Sequence, residues 1–204
     1  MSAARITVAP LRLDAASSRL QAAAMEYVTH GWGVLPGSAC DGLRYTQGHT
    51  AAPTYGLVPV WGSGRTTREA RRAWGQWNVA PYAILARAGE DFDVLTAPTW
   101  LAVEAVGRSQ FTASPCPVSI APDGVRLFVR RGARLWPELA DVRGVGLVEP
   151  GAVVPLPPTR MVGGSATWWL PPEAVGWHPG DPDAAQAALV AVLGEAPDGG
   201  WHRP

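Results

Sequence analysis

The chain has 204 residues with 17 acidic and 17 basic side chains, a formal net charge of zero and a pI of about 6.9. That balance excludes the global basic field that drives non-specific nucleic-acid binding, though not a local groove. A hydrophobic fraction of 47%, in a chain long enough to bury about 70% of its unfolded surface, predicts one self-sufficient core. The 23 glycines and 20 prolines predict short elements and many turns. Every basic residue is arginine, most simply a trace of gene base composition. Cys40 and Cys116 are too far apart for a zinc motif or a disulfide framework. No window approaches the roughly 18 apolar residues of a membrane span, and Met1–Leu13 has no apolar run of signal-peptide length. The expectation is a soluble cytoplasmic protein with no membrane partner.

In chain order, Arg5–Leu13 reads as a strand or an irregular arm. Asp14 reads as the N-cap of a helix over Ala15–His30, with Leu20, Ala23, Ala24, Tyr27 and Val28 on one face. Gly31 supplies its stop, and His30 in its last turn suits a capping role. Trp32–Leu35 reads as a short strand ended at Pro36-Gly37. Ser38–Gly64 reads as a long loop packed by Tyr45, Tyr55 and Trp61. Thr66 and Glu69 have capping-box spacing, predicting a helix over Thr67–Trp77. Its apolar face is Ala70, Ala73, Trp74 and Trp77, and its solvated face Arg68, Arg71 and Arg72. A strand over Tyr82–Ala86 follows.

The chain is organised around Gly89–Pro98, GEDFDVLTAP. It reads as a buried strand, Phe92–Leu95, left at a proline and followed by a helix over Thr99–Val106. Pro122-Asp123-Gly124 is a turn sequence joining Val118–Ala121 to Val125–Arg131. Leu135–Leu139 reads as a helical turn, and Leu147–Val148, Ala152–Val154 and Ala166–Leu170 as short strands. The last helix has Asp181 as N-cap, Pro182 at its first position and Gly194 just past its end. Its face of Ala185, Ala188, Leu189, Val192 and Leu193 is expected on the sheet. Glu195–Pro204 forms a tail. Trp74, Trp77 and Trp100 are expected in the core, and Trp168 and Trp169 on opposite strand faces.

Several segments, in this order, resemble the N-terminal catalytic domain of bifunctional DNA primase/polymerases, the prim-pol family. They are the alanine-rich Ala22–Pro36 with its tyrosine, glycine and aliphatic-proline strand, and Thr67 followed by Trp74 and Trp77. Pro81–Gly89, Ala121–Gly124 with Arg126–Val129, Asp141-Val-Arg143-Gly and Pro157-Pro-Thr159 complete the series. The resemblance spans about residues 20–172. It implies an α+β fold, a prim-pol-like mixed sheet flanked by helices, and a role in DNA replication. Residues 1–19 would be an arm and helix start, and residues 173–204 a C-terminal helix and tail packed on the same domain.

The resemblance also implies nucleotidyl transfer by Mg²⁺ or Mn²⁺ held on two strand carboxylates and a third later one. In register from Gly89, those two positions fall on Thr96 and Pro98, which carry no negative charge. The family's histidine after the turn is not filled, and Arg126 is the nearest polar residue. Only Asp141 stands where the family has a carboxylate. Thr96, Arg126, Asp141 and Arg143 are then the candidate nucleotide-binding residues. Asp141 and Arg143 are either a charge pair or part of that site, and Arg126 with Arg130 would share a strand face able to meet a phosphate.

Asp91 and Asp93 form an Asp-x-Asp that could replace the missing ligands. Strand parity opposes this, because their offset from Thr96 and Pro98 is odd and turns them to the other sheet face. Three functions follow as expectations. The first is a prim-pol-fold protein silent in catalysis that retains a nucleotide, nucleic-acid or regulatory partner. The second is an active polymerase on Asp91, Asp93 and Asp141. The third is a protein-interaction module.

Overall fold

The computed structural model describes residues 15–47, 52–60, 66–78 and 82–195. The expected strand at Arg5–Leu13, the Asp14 cap, Trp61 and the tail beyond Glu195 lie outside them. Helix α1 (Ala15–Thr29) is followed by strands β1 (Leu35–Gly37), β2 (Ala39–Cys40), β3 (Tyr45–Gln47) and β4 (Ala52–Thr54). Helix α2 (Ala70–Trp77), β5 (Ala83–Arg87), β6 (Asp93–Ala97), α3 (Thr99–Val106) and α4 (Ser109–Ala113) come next. The hairpin β7 (Val118–Ala121) and β8 (Gly124–Val129) leads to α5 (Pro137–Ala140), β9 (Gly146–Leu147) and β10 (Val153–Pro155). Strands β11 (Arg160–Met161), β12 (Gly164–Ser165) and β13 (Thr167–Leu170), a 3₁₀ turn at Pro172–Val175 and α6 (Pro182–Gly194) complete the chain.

The class is α+β. A five-stranded sheet has the order β13-β7-β8-β6-β9, and a three-stranded sheet the order β1-β5-β10. The expected mixed sheet is corrected: every ladder between these strands is antiparallel. The cause is β8, which turns back from β7 over two residues and inserts between β7 and β6. A parallel neighbour would need a long crossover at that place.

Alternation along β6 and β8 separates two cores. Leu95, Ala97, Val125, Leu127 and Val129 face α3, α4 and α6. Val94 and Phe128 face the other way, into an aromatic cluster with Tyr27, Trp32, Phe92 and Trp168 that joins the sheet to α1, α2 and β5. Ala185, Ala188, Leu189 and Val192 of α6 are buried as its pattern predicts. Asp181 caps it, accepting from the Asp183 N–H at 2.8 Å.

Three local expectations fail for identifiable reasons. Helix α2 starts at Ala70, not Thr67, and its N-cap residue Glu69 makes no side-chain cap bond. Thr67 is instead drawn into a two-way backbone bridge with Val34, and the Thr66 hydroxyl donates to Glu90 at 2.6 Å. The long loop contains a small sheet, β2-β3-β4. Tyr55 stands fully exposed there instead of packing it. Trp74 (51%) and Trp100 (39%) are exposed, whereas Trp77 is buried and donates to the Tyr82 carbonyl at 3.0 Å.

Candidate functional site

Four residues register side by side across the large sheet. Ser119 of β7 pairs with Arg126 of β8, Arg126 with Thr96 of β6, and Thr96 with Gly146 of β9. Laterally paired residues point to one sheet face, so Ser119, Arg126 and Thr96 form a polar row. Trp168 of β13 extends it beyond Ser119. The row lies on the face of the aromatic core. Its centre is the Arg126 guanidinium, 9% exposed, which pairs through Nη2 with the 57%-exposed Asp123 at 2.7 Å. Arg126 Nη1 and Ser119 Oγ are buried without a hydrogen-bond partner among the described residues. Thr96 Oγ1 donates to the Gly146 carbonyl at 3.1 Å, so the strand edge beside it is taken by β9.

The other candidates are not part of this row. Asp91 accepts from the Gly33 N–H at 2.7 Å and from Arg68 at 2.6 Å, tying the start of β6 to α1's exit and to α2. Asp93 lies on the opposite face from Thr96 and accepts from the Gly132 and Ala133 N–H groups at 2.8 and 2.9 Å. Strand parity therefore separates Asp93 from Thr96, and Asp91 lies in the bend before β6, held by Gly33 and Arg68. Asp141 is exposed and ends α5 with φ −96° and ψ 2°. The next residues form a turn, not an extended segment. Asp141 and exposed Arg143 form no ion pair with any described residue, so of the two alternatives the charge pair is not formed. Among the described residues no group of three or more His, Cys, Asp or Glu side chains could hold a metal ion. Asp91, Asp93 and Asp141 are thus not brought together. Arg130 lies beyond the end of β8 and pairs with Asp181, so it does not join Arg126. Thr159, in the segment resembling the late family signature, is buried. Its hydroxyl accepts from Ile84 N–H and donates to Ile84 C=O, at 2.9 and 3.0 Å.

Two concavities lie elsewhere and were not legible from motifs. One, of about 420 Å³, is lined by Arg19, Cys40, Arg160, Ser165 and Thr167 among apolar neighbours. The other, of about 250 Å³, is lined by Glu26, Tyr27, Trp168, Glu173 and Trp177. They share Pro158, Ala166 and Thr167. Neither is lined by Thr96, Arg126, Asp141 or Arg143.

Burial pushes the Tyr27 hydroxyl well above the ordinary tyrosine range, and negative charge on Glu26 and Glu173 adds to this against the Trp168 hydrogen bond. No protein-family model, curated protein or solved structure matches the chain.

Proposed function

We propose that this is a prim-pol-like protein that is silent in nucleotidyl transfer and binds the phosphate of a nucleotide or nucleic acid at Arg126. The observation that supports it is the buried guanidinium beside Thr96 whose Nη1 has no acceptor among the described residues. Metal-dependent nucleotidyl transfer needs carboxylate oxygens at such a place to hold a divalent cation. A fixed cation in a desolvated row repels a second cation and attracts an anion. Phosphate oxygens match the planar fork of a guanidinium. Asp123 reaches Nη2 from an exposed turn, so an incoming phosphate competes with that carboxylate. The zero net charge favours a ligand held at one point over a long strand tracked by a basic surface.

Two assays on the full chain test the reading. Template–primer extension with deoxynucleotides and Mg²⁺ or Mn²⁺ is expected to yield no product, and extension would overturn the silent half. Titration of a fluorescent nucleoside triphosphate and of a short labelled single strand is expected to saturate and to weaken with salt. Arg126→Gln weakens it about tenfold, the scale of one charge-assisted pair. Asp123→Asn strengthens it by freeing Nη2. Equal affinity in wild type and Asp123→Asn, with equal melting temperatures, would sink the anion half.

A further inference from the structure

The second cavity has the construction of a cation-binding cage. Tyr27 comes from α1, Trp168 from β13 and Trp177 from the turn before α6. The Tyr27 hydroxyl donates to the Pro157 carbonyl at 2.5 Å and accepts from Trp168 Nε1 at 3.0 Å. Both rings are therefore held in place, with planes 66° apart. Trp177 stands at 75° to Tyr27 and stacks flat on His30 at 3.9 Å. Its backbone has φ +64°, a left-handed conformation costing a bulky residue about 1–2 kcal/mol. Strain retained at one aromatic side chain points to a use for its placement. Glu26 and Glu173 line the same cavity, are exposed, and form no ion pair with a described residue.

Aromatic faces bind cations through the ring quadrupole, most strongly when the cation sheds its water easily. The two nearby carboxylates add Coulomb attraction. The polar groups of Tyr27 and Trp168 are already paired with each other and with Pro157, so these two rings present faces to a ligand, and the carboxylates of Glu26 and Glu173 supply the charge. A methylated ammonium needs no hydrogen-bond acceptor. Across the shared wall of Pro158, Ala166 and Thr167, the larger cavity presents the opposite charge. Arg19 and Arg160 line it with the hydroxyl residues Ser165 and Thr167, and neither arginine pairs with a described carboxylate. Arg160 lies over Gly42, where an added Cβ would come within 2.8 Å of its Nη2. The guanidinium thus rests against the β2–β3 turn.

We infer that the two cavities form one bipolar site for a small zwitterion. Its methylated ammonium sits among Tyr27, Trp168, Trp177, Glu26 and Glu173, and its phosphate or carboxylate meets Arg19 and Arg160. The site meets the Arg126 row at Trp168 and does not depend on phosphate binding at Arg126.

Calorimetric titration of the full chain with phosphocholine, tetramethylammonium and inorganic phosphate tests it. Phosphocholine is expected to bind at least about tenfold more tightly than either half, because two sites are engaged at once. The doubly substituted Glu26→Gln, Glu173→Gln chain weakens phosphocholine and tetramethylammonium and leaves phosphate unchanged. Arg160→Gln weakens phosphocholine and phosphate and leaves tetramethylammonium unchanged. These side chains at the cavities are exposed, so unchanged melting temperatures are expected to accompany the losses. Phosphocholine binding no tighter than phosphate, or unaffected by the glutamine pair, overturns the inference. A parallel sedimentation with phosphatidylcholine vesicles separates the sources. Binding to free phosphocholine alone identifies a soluble ligand, binding to vesicles identifies a lipid headgroup, and binding to neither rejects the site.

Discussion

Asp91 and Asp93 are two residues apart, yet their carboxylates hold different parts of the molecule. Asp91 bridges Gly33 and Arg68, and Asp93 ends the backbone turn at Gly132 and Ala133. Asp91→Ala and Asp93→Ala should each destabilise the fold by about 1–3 kcal/mol, since each leaves N–H donors without their charged acceptor. Denaturant titration measures this, and the losses should be the same with and without Mg²⁺. A stability gain from Mg²⁺ in wild type that disappears in either variant would restore a metal role. That Asp93 turns away from Thr96 was legible beforehand from strand parity alone. The partners were not, because Arg68 and Gly132 lie 23 and 39 residues away in sequence.

At the scale of elements, helix ends divide into those set locally and those set by distant chain. Helix α6 has a cap, a first-turn proline and an apolar face within one short segment, and it forms as read except at its end, where Gly194 is the last helical residue and Glu195 the C-cap. Helix α3 and the β7–β8 hairpin are likewise local, the hairpin because Pro122-Asp123 supplies its turn. Helix α2 carries an equally good cap signature and does not use it, because Thr67 bonds to Val34 some thirty residues earlier. Asp181→Ala should therefore cost about 1–2 kcal/mol, through the lost cap and the lost Arg130 pair. Glu69→Ala should change stability by less than about 0.5 kcal/mol, as for other exposed positions. Thermal melts of the two variants check the contrast, and equal losses would mean that Glu69 caps after all. The small sheet β2-β3-β4 was not legible for a different reason. Its two- and three-residue strands are too short to show alternation.

For the whole molecule, the class was legible in the element pattern and the strand order was not, since β8 lies between β6 and β7 by long-range pairing. The two cavities were invisible for a stronger reason: their walls come from α1, the β2 region, the segment 157–168 and the turn after β13. The fold also sets an alkaline limit. Burial pushes the Cys116 thiol from its ordinary 9.0 up to about 12. The folded chain keeps this proton where the unfolded chain releases it. The contribution is full below about pH 9 and is lost as pH rises toward 12, at up to about 1.4 kcal/mol per pH unit. Cys116→Ala should flatten the decline in denaturation free energy between pH 9 and 10, and an unchanged slope would refute the assignment. Above pH 10 buried Tyr27, shifted in the same direction, keeps part of the slope in the variant.

The aromatic cluster beneath α1 has an optical consequence. Trp32 stands 6.2 Å from Trp168 and 5.8 Å from Trp177, with ring planes 69° and 82° apart. Indole transitions held this close and this steeply inclined exchange excitation and acquire rotational strength. Circular dichroism in the aromatic bands then reports whether α1 is seated on the sheet, even where the helical signal is unchanged. Undocking of that one helix, with its own turns intact, becomes visible as a loss of chirality among rings that are themselves achiral.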